Sequence, residues 1–327
     1  MLKQYLSVFI IAFCFSVAIG YVLIPILKKL KFGQSILNYV TEHNYKSGTP
    51  TMGGLIFIIS STIAFFAIAK GSKYLACICI SVGLSYMVVG FIDDFIKIKL
   101  KQNKGLSGWQ KTLFELAIAV IVSIVAKSRG LTQINLPFVD KSIEIGFCFI
   151  PLSIFIFLAT TNSVNLTDGL DGLAGGVTYI FFAIMGVLIC LQNLCTTKGV
   201  SYYEYGNLAL LCFALSGSLV GYLIYNTHKA SVFMGDTGSL ALGGFVAIVS
   251  IVSGNILFIP VIGIIYVLSS ISVIMQVIYY KKTKKRIFLM APLHHHFQHK
   301  GYDESKIAIA SKALTLFIGL ICIISYL

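Results

Sequence analysis

The sequence predicts an all-α polytopic membrane protein with about ten transmembrane helices. Of its 327 residues, 57% are hydrophobic and only 11% are charged, whereas a soluble domain has about 45–50% apolar and 25% charged residues. Apolar runs of roughly twenty residues, the length a helix needs to cross a hydrocarbon core about 30 Å thick, recur along the whole chain. One large soluble core would not require runs of this length.

Ten runs are long enough to span a membrane. They lie at residues 4–27, 51–69, 74–92, 111–127, 147–163, 173–192, 205–225, 237–254, 256–280 and 306–326. The first run is longer than the apolar region of a signal peptide, about 7–15 residues, and is therefore predicted to be retained. The connections are too short for a soluble domain, so residues 1–327 are predicted to form one integral membrane domain. Alternating polarity over 131–145 predicts a small outer β-hairpin.

Basic residues predict the orientation of these spans. Segments 28–46, 93–111, 226–236 and 281–306 carry 17 of the 25 Lys and Arg, and the connections on the other side carry seven. By the positive-inside rule, the Lys-rich side is cytoplasmic and both termini lie outside. The net charge of +13 does not predict a nucleic-acid partner, because the Lys residues flank spans and anionic membrane lipids are the simpler counterpart.

Acidic residues are concentrated at the predicted cytoplasmic ends of the spans. Five of the twelve stand there: Asp93, Asp94, Asp168, Asp171 and Asp236. Adjacent carboxylates such as Asp93 and Asp94 repel each other unless a cation lies between them. Hard divalent cations prefer such oxygen ligands. The alternative for this pair, taken alone, is a solvated acidic helix end.

A polar turn, Asn165-Leu-Thr-Asp-Gly-Leu-Asp-Gly172, joins spans five and six. The three-residue spacing of Asp168 and Asp171 predicts that they share one helical face. Helix capping by Asp168 or Thr167 is the alternative, but a cap needs one polar side chain and this turn contains four. The turn lacks the ligand spacing and final Glu of an EF-hand.

Two glycine-rich segments stand at predicted helix starts. Asp236 lies within Phe233-Met-Gly-Asp-Thr-Gly-Ser239, where glycines let a ligand approach backbone amides and a helix N-terminus favours anions. The Gly-Lys-Ser/Thr of a Walker loop is missing. Gly48-Thr-Pro-Thr-Met-Gly-Gly54 opens span two, although Thr49 as N-cap and Pro50 at the first helical position explain part of it.

The cytoplasmic connections also contain candidate phosphate ligands. Three consecutive side chains cannot converge on one metal, being about 100° apart on a helix, so we favour phosphate binding over zinc for His294, His295 and His296. The same role is predicted for three lysines near the Asp pair: Lys97, Lys104 and Lys111. Lys111 has an alternative partner in Glu115, four residues later. Together these residues favour phosphoryl chemistry that joins a soluble nucleotide to a lipid.

The motifs resemble those of the phospho-N-acetylmuramoyl-pentapeptide transferase family. The resemblance covers nearly the whole chain in order, through Thr49-Pro-Thr-Met-Gly-Gly54, Asp93-Asp94, Asn165-Leu-Thr-Asp-Gly-Leu-Asp-Gly-Leu-Ala174, Val232-Phe-Met-Gly-Asp-Thr-Gly-Ser239 and Ala291-Pro-Leu-His-His-His-Phe297. One position departs from the family pattern, since Gln298 stands where Glu is expected.

The resemblance implies a Mg²⁺-dependent transfer of phospho-N-acetylmuramoyl-pentapeptide from UDP-N-acetylmuramoyl-pentapeptide to undecaprenyl phosphate. The products would be lipid I, an intermediate of peptidoglycan synthesis, and UMP. The resemblance also implies a homodimer in the bacterial inner (plasma) membrane, with its active site on the cytoplasmic face.

Roles for individual residues follow from the same resemblance. Asp236 would be the metal ligand, Asp93 the candidate base and Asp94 its acidic neighbour. Four residues would hold the uridine end, with Phe233 stacking on uracil: Lys46, Asp171, Asn226 and Phe233. Further substrate contacts would come from Thr51, Asn165, Asp168 and Gln276.

Two other functions stay open at this stage. A related transferase would use a UDP-N-acetylhexosamine, although the Ala-Pro-Leu-His-His-His and Pro-Thr-Met-Gly-Gly segments favour the peptide-bearing sugar. A membrane transporter would place acidic residues near the bilayer midplane, where charge is costly but functional. The middles of the predicted spans are almost free of charge.

Overall fold

The structure, a computed structural model, is that of an all-α multi-pass membrane protein. It describes residues 2–30, 48–100, 105–139, 141–194 and 200–325. The helices of these segments are α1 (Leu2–Lys29), α2 (Gly54–Ile68), α3 (Tyr74–Lys99), α4 (Gly108–Ser128), α5 (Phe149–Thr167), α6 (Leu173–Leu194), α7 (Val200–Asn226), α8 (Gly235–Val252), α9 (Phe258–Ile262), α10 (Ile264–Thr283), α11 (Leu293–His299) and α12 (Glu304–Ile324). Within the described part, nine helices are long and apolar enough to cross a membrane.

Two predicted spans differ from the structure. Helix α2 has only 15 residues and begins at Gly54, so the prediction that Thr49 and Pro50 start this helix is wrong. The backbone of Pro50 instead accepts a hydrogen bond from Phe233 N at 2.8 Å, which pairs this segment with a distant loop. The ninth predicted span is interrupted at Gly263, between α9 and α10, where the backbone leaves the helical conformation.

The predicted β-hairpin is confirmed, while its outer position stays a prediction. Strands β1 (Gln133–Asn135) and β2 (Ser142–Glu144) are antiparallel, with Ile134 opposite Ile143. Asn135 N donates to the carbonyl of Gly254 at 2.8 Å, just beyond the C-terminal end of α8. Asp236 lies at the other end of this 18-residue helix, about 27 Å away at 1.5 Å per residue. The hairpin and the acidic residues therefore occupy opposite ends of the helical bundle.

Helix α8 forms the centre of the bundle and is the most buried of the nine candidate spans. Small residues allow other helices to approach its backbone closely. A Cβ on Gly90 of α3 would overlap the carbonyl group of Asp236. A Cβ on Gly243 of α8 would likewise overlap the backbone of Thr161 on α5. These contacts pack α3 and α5 directly against the backbone of α8.

Candidate active site

Asp94 fixes the start of α8. Its Oδ2 accepts hydrogen bonds from the backbone N and the Oγ1 of Thr237, at 2.9 and 2.6 Å, and its Oδ1 accepts one from Asp236 N at 3.3 Å. Helix α8 has no side-chain cap of its own at Met234. A carboxylate from α3 therefore satisfies amides that a local cap would otherwise satisfy, at the helix end that favours negative charge. Asp94 thus orients the residue beside it, Asp236.

Asp236 is the point where four helices meet. Its Oδ2 lies 3.0 Å from Lys97 Nζ on α3 and 3.1 Å from Lys111 Nζ on α4. Its Oδ1 accepts a hydrogen bond from Asn165 Nδ2 on α5 at 2.8 Å. The predicted alternative for Lys111, an ion pair with Glu115, is not found among the ion pairs of the described residues, because the ammonium group of Lys111 pairs with Asp236.

Asp93 completes a cluster of three carboxylates. Its Oδ2 lies 2.5 Å from Lys97 Nζ, and its Oδ1 accepts a hydrogen bond from Leu106 N at 2.7 Å. Asp93, Asp94 and Asp236 each offer an oxygen atom, and these atoms lie within 4.8 Å of one another. This donor set fits a hard divalent cation. The two lysines add positive charge at the same point, which suits a phosphate ligand.

The glycine-rich segment 48–54 forms one wall of the cluster. Gly53 N donates to Phe233 O at 2.8 Å, which joins this segment to the loop before α8. Gly235 has a φ of +70°, and a Cβ there would overlap both Asp94 Oδ2 and Thr51 Oγ1. Thr51 is buried and its hydroxyl has no hydrogen-bond partner among the described residues. Its free hydroxyl therefore faces the carboxylate cluster.

Three of the four residues predicted to hold uridine, Asp171, Asn226 and Phe233, lie in a turn and a loop next to the cluster. Asn226 Oδ1 accepts a hydrogen bond from Gly172 N at 3.2 Å, and its Nδ2 donates to Val232 O at 3.0 Å. Asp171 Oδ2 accepts one from Ala230 N at 3.1 Å. The side chain of Phe233 is half-buried in the same loop. The turn 168–172 and the loop 226–234 are therefore held together by their own side chains.

The prediction that Asp168 and Asp171 share a helical face is wrong. Helix α5 ends at Thr167 and α6 begins at Leu173, so both carboxylates lie in a turn. Thr167 does not cap α6 either, because its hydroxyl donates to Ser163 O at 2.8 Å. A turn exposes its amides to side chains from elsewhere in the chain, which is how the Asn226 contact arises.

The three consecutive histidines face two directions. A Cβ on Gly169 would overlap His294 Nε2 and lie 2.8 Å from His295 Nε2, so both rings face the turn between α5 and α6. His296 points away, and its Nδ1 accepts a hydrogen bond from Leu289 N at 3.1 Å. The prediction that these side chains do not converge on one metal is confirmed.

His294 presents a neutral ring to the turn. Burial, reinforced by the neighbouring His295 ring, lowers the pKa of His294 to about 3. Its Nε2 is buried and has no hydrogen-bond partner within the described segments. A neutral imidazole nitrogen can donate or accept, according to its tautomer. The Nδ1 of His295 lies 3.1 Å from Gln298 Oε1, so the residue that departs from the family pattern supports a histidine.

Gln276 holds the loop that follows α10. Its Oε1 accepts hydrogen bonds from the backbone N of Ile287 and Phe288, at 3.1 and 3.0 Å, and its Nε2 donates to Phe288 O at 3.1 Å. The loop therefore occupies its amide group, and a substrate contact here stays a prediction. Lys46 and Lys104 lie outside the described residues, so their predicted contacts are untested.

Two carboxylates, those of Glu304 and Glu115, were not predicted to be buried. Glu304, at the start of α12, accepts a hydrogen bond from Asp171 N at 2.6 Å. With Asp171 and His228 it forms a second group whose potential ligand atoms lie within 4.8 Å of one another. Glu115 is completely buried in α4. An ionisable residue inside an apolar run was the available signal in the second case.

Comparisons with known proteins agree with the motifs. The model of glycosyl transferase family 4 matches residues 75–254, and signature 1 of phospho-N-acetylmuramoyl-pentapeptide-transferase matches residues 46–58. Three similar proteins bear the name phospho-N-acetylmuramoyl-pentapeptide-transferase. That of Thermoanaerobacter sp. (strain X514) is 41% identical over 317 residues, which cover 97% of this chain and 96% of its own. That of Clostridium botulinum (strain Alaska E43 / Type E3) is 40% identical, covering 98% and 95%. That of Clostridioides difficile (strain 630) is 41% identical, covering 97% and 96%.

Proposed function

The chain belongs to the phospho-N-acetylmuramoyl-pentapeptide-transferase family, and we propose that it transfers phospho-N-acetylmuramoyl-pentapeptide from its UDP-linked precursor to undecaprenyl phosphate. The products are lipid I and UMP. The observation that carries this proposal is the cluster of Asp93, Asp94 and Asp236, joined by Lys97 and Lys111 at one end of the bundle. Carboxylates for a divalent cation and lysines for phosphate are the two requirements of phosphoryl transfer.

The proposed metal is Mg²⁺, with Asp236 as its ligand. Bound Mg²⁺ supplies positive charge that stabilises the diphosphate of the nucleotide as its bond breaks. Asp94 keeps the Asp236 carboxylate at the start of α8 through its contacts with Thr237. Lys97 and Lys111 lie where phosphate oxygens would approach Asp236.

The reaction needs little help from a base. A phosphate oxygen of the lipid attacks the sugar-linked phosphorus of the UDP precursor, and the bond from that phosphorus to the UMP oxygen breaks. A phosphate monoester has a second pKa of about 6, so the lipid phosphate is largely a dianion at neutral pH. The main task of the protein is therefore to hold two negatively charged reactants in line.

The uridine end of the substrate is assigned to the unit beside the carboxylate cluster. Phe233 would stack on uracil, while Asp171 and Asn226 would hold the nucleoside within the turn and loop that they join. Lys46 would contact the same end. The lipid phosphate would enter from the membrane, and His294, whose Nε2 is buried without a partner among the described residues, would be a further phosphate donor.

The proposal also covers orientation and assembly. The Lys-rich connections support a position of the carboxylate cluster on the cytoplasmic face, which would be that of the bacterial inner membrane. The outer hairpin, at the opposite end of α8, then faces outward. Family membership supports a homodimer as the working unit.

Replacing Asp93 with Asn tests the electrostatic role of this residue. We expect a loss of about 100-fold in the rate of UMP release, of similar size at every pH from 6 to 8.5, because the lipid phosphate needs no base. The measurement is the pH profile of UMP release from purified protein in detergent. Recovery of the variant as the pH rises through the ionisation of the lipid phosphate would assign proton removal to Asp93 instead.

The proposed reaction is tested by offering two nucleotides to the purified protein. We expect UMP release from UDP-N-acetylmuramoyl-pentapeptide, dependent on Mg²⁺ and on undecaprenyl phosphate, and none from UDP-N-acetylglucosamine. Release from the second nucleotide alone would make the protein a UDP-N-acetylhexosamine transferase. Release from neither, in folded protein with Mg²⁺ and lipid phosphate present, would contradict the proposed transfer and favour transport.

A further inference from the structure

A buried carboxylate lies one helical turn below the ion pair of Lys111 with Asp236. Glu115, on α4, is completely buried. Its Oε2 accepts hydrogen bonds from Asn162 Nδ2 at 2.7 Å and from Thr161 Oγ1 at 3.3 Å, both on α5. Its Oε1 is buried without a hydrogen-bond partner among the described residues. Because burying a carboxylate within a span is costly, its presence here calls for a role beyond packing.

The contacts around Asp236 form an upper layer between α4 and α5, and the contacts of Glu115 form a similar lower layer, one helical turn further into the bundle. In the upper layer, Lys111 on α4 and Asn165 on α5 both contact Asp236. In the lower layer, Glu115 follows Lys111 by four residues and Asn162 precedes Asn165 by three, so the members of each pair lie on one helical face. Both layers therefore join the same two helices.

The lower layer limits how α4 and α5 can move. Tyr86 of α3 donates a hydrogen bond to the backbone carbonyl of Glu115 at 3.2 Å, which ties this point of α4 to a third helix. Asn162 is exposed on the surface of α5, so its amide group lies on the outer side of the Glu115 carboxylate. A rotation of α4 would break the Asn162 contact and would at the same time draw Lys111 away from Asp236.

We propose that Glu115 is a positioning residue for the transfer: through Asn162 it sets the rotation and separation of α4 and α5 at which Lys111 and Asn165 both contact Asp236. The kinetic part of this inference rests on the proposed function. Glu115 acts through the two helices, since its side-chain hydrogen bonds go to α5 and not to the carboxylate cluster.

The kinetic test compares Glu115→Ala with Glu115→Gln. We expect Glu115→Ala to lower the kcat for UMP release by about 10- to 100-fold, the usual effect of removing a group that orients a ligand, with the KM for the nucleotide changed by less than about threefold. Glu115→Gln keeps an acceptor for Asn162 and is expected to retain kcat within about threefold. Ser123→Ala is the matched control, because Ser123 is buried on α4 and its hydroxyl donates to Ala119 O of the same helix, its one hydrogen bond within the described segments. Its kcat is expected to stay unchanged.

A stability measurement tests the contact without any turnover. Thermal unfolding is followed in EDTA for Glu115→Ala, Asn162→Ala and the double variant. Because the two side chains are in contact, we expect the effects of the single substitutions on the unfolding midpoint not to add. Additive effects would show that the two residues do not act through one another, which overturns the inference.

The outcomes separate this inference from the proposed function. An unchanged kcat in Glu115→Ala, an equal loss in Ser123→Ala, or no rescue by Glu115→Gln would each contradict a positioning role. If the unsubstituted protein releases no UMP from either nucleotide, the proposed function fails, while the unfolding cycle in EDTA still decides whether Glu115 and Asn162 are coupled. Should Glu115→Ala not fold, Asn162→Ala is expected to show the same loss of kcat.

Discussion

Replacing Asp236 with Asn is expected to lower the rate of UMP release by about 1,000-fold or more. The substitution keeps the shape of the side chain but removes the negative charge on which Lys97, Lys111 and the proposed Mg²⁺ converge. It also directs an amide group toward ammonium donors, or leaves Asn165 without its acceptor. The backbone contact of residue 236 with Asp94 is unaffected, so the fold is expected to persist. The measurement is UMP release over a Mg²⁺ titration.

The matched control for this prediction is Glu144→Gln. Glu144 is exposed on the β-hairpin, at the opposite end of the bundle from the carboxylate cluster. Glu144→Gln removes one negative charge from the protein, as Asp236→Asn does. It is expected to leave the rate of UMP release and its Mg²⁺ dependence unchanged. An Asp236→Asn protein that keeps a tenth of the activity at the same Mg²⁺ requirement would remove Asp236 from the metal site.

The carboxylate cluster was predictable because acidic residues are rare in this apolar chain, with only 12 of 327 residues being Asp or Glu. Asp93, Asp94 and Asp236 stand at span ends, and counting spans places all of them on one side. The structure brings one carboxylate oxygen of each residue to within 4.8 Å of the others, although more than 140 positions separate Asp94 from Asp236 along the chain. Counting spans gives the side of the membrane on which residues lie but not their distances within it.

Predictions from local sequence patterns were wrong where backbone segments that are distant in the chain form hydrogen bonds with each other. Pro50 looks like the first residue of a helix because its ring fixes φ and its missing N–H is not needed there. In the structure its carbonyl accepts a hydrogen bond from Phe233, so the helix begins four residues later. No property of residues 48–54 by themselves indicates this partner. The glycines do indicate that something approaches closely at this point.

Glu115 shows the same limit for a side chain. Along the sequence its visible partner is Lys111, since a spacing of four places both on one helical face. In the bundle Lys111 reaches Asp236, and Glu115 binds Asn162 on the next helix. Which of these contacts forms depends on the separation of α4 and α5, which is set by tertiary packing and not by the local sequence. The contact of Glu304 with the backbone of Asp171 could not be predicted from the sequence for the same reason.

Gly90→Ala is expected to lower the rate of UMP release about 100-fold, although the substitution changes no group that contacts a substrate. The added Cβ would overlap the carbonyl group of Asp236 and lie 2.6 Å from Thr237 N, both backbone atoms of α8 that cannot rotate away. Helices α3 and α8 would have to separate. Because Asp94 is one turn further along α3, the separation would weaken its bonds to Thr237 and displace Asp236. A displacement of about 1 Å is enough for a loss of this size.

Gly108→Ala is the control for this change, because a Cβ on Gly108 meets nothing within 4 Å. It should leave both the rate and the unfolding midpoint close to those of the unsubstituted protein. Gly90→Ala should lower the midpoint as well, since overpacking costs about 1–3 kcal/mol. If Gly90→Ala loses stability but keeps its rate, the close approach of α3 and α8 serves packing alone. If it loses both while Gly108→Ala loses neither, then the distance between these two helices sets the geometry of the carboxylates.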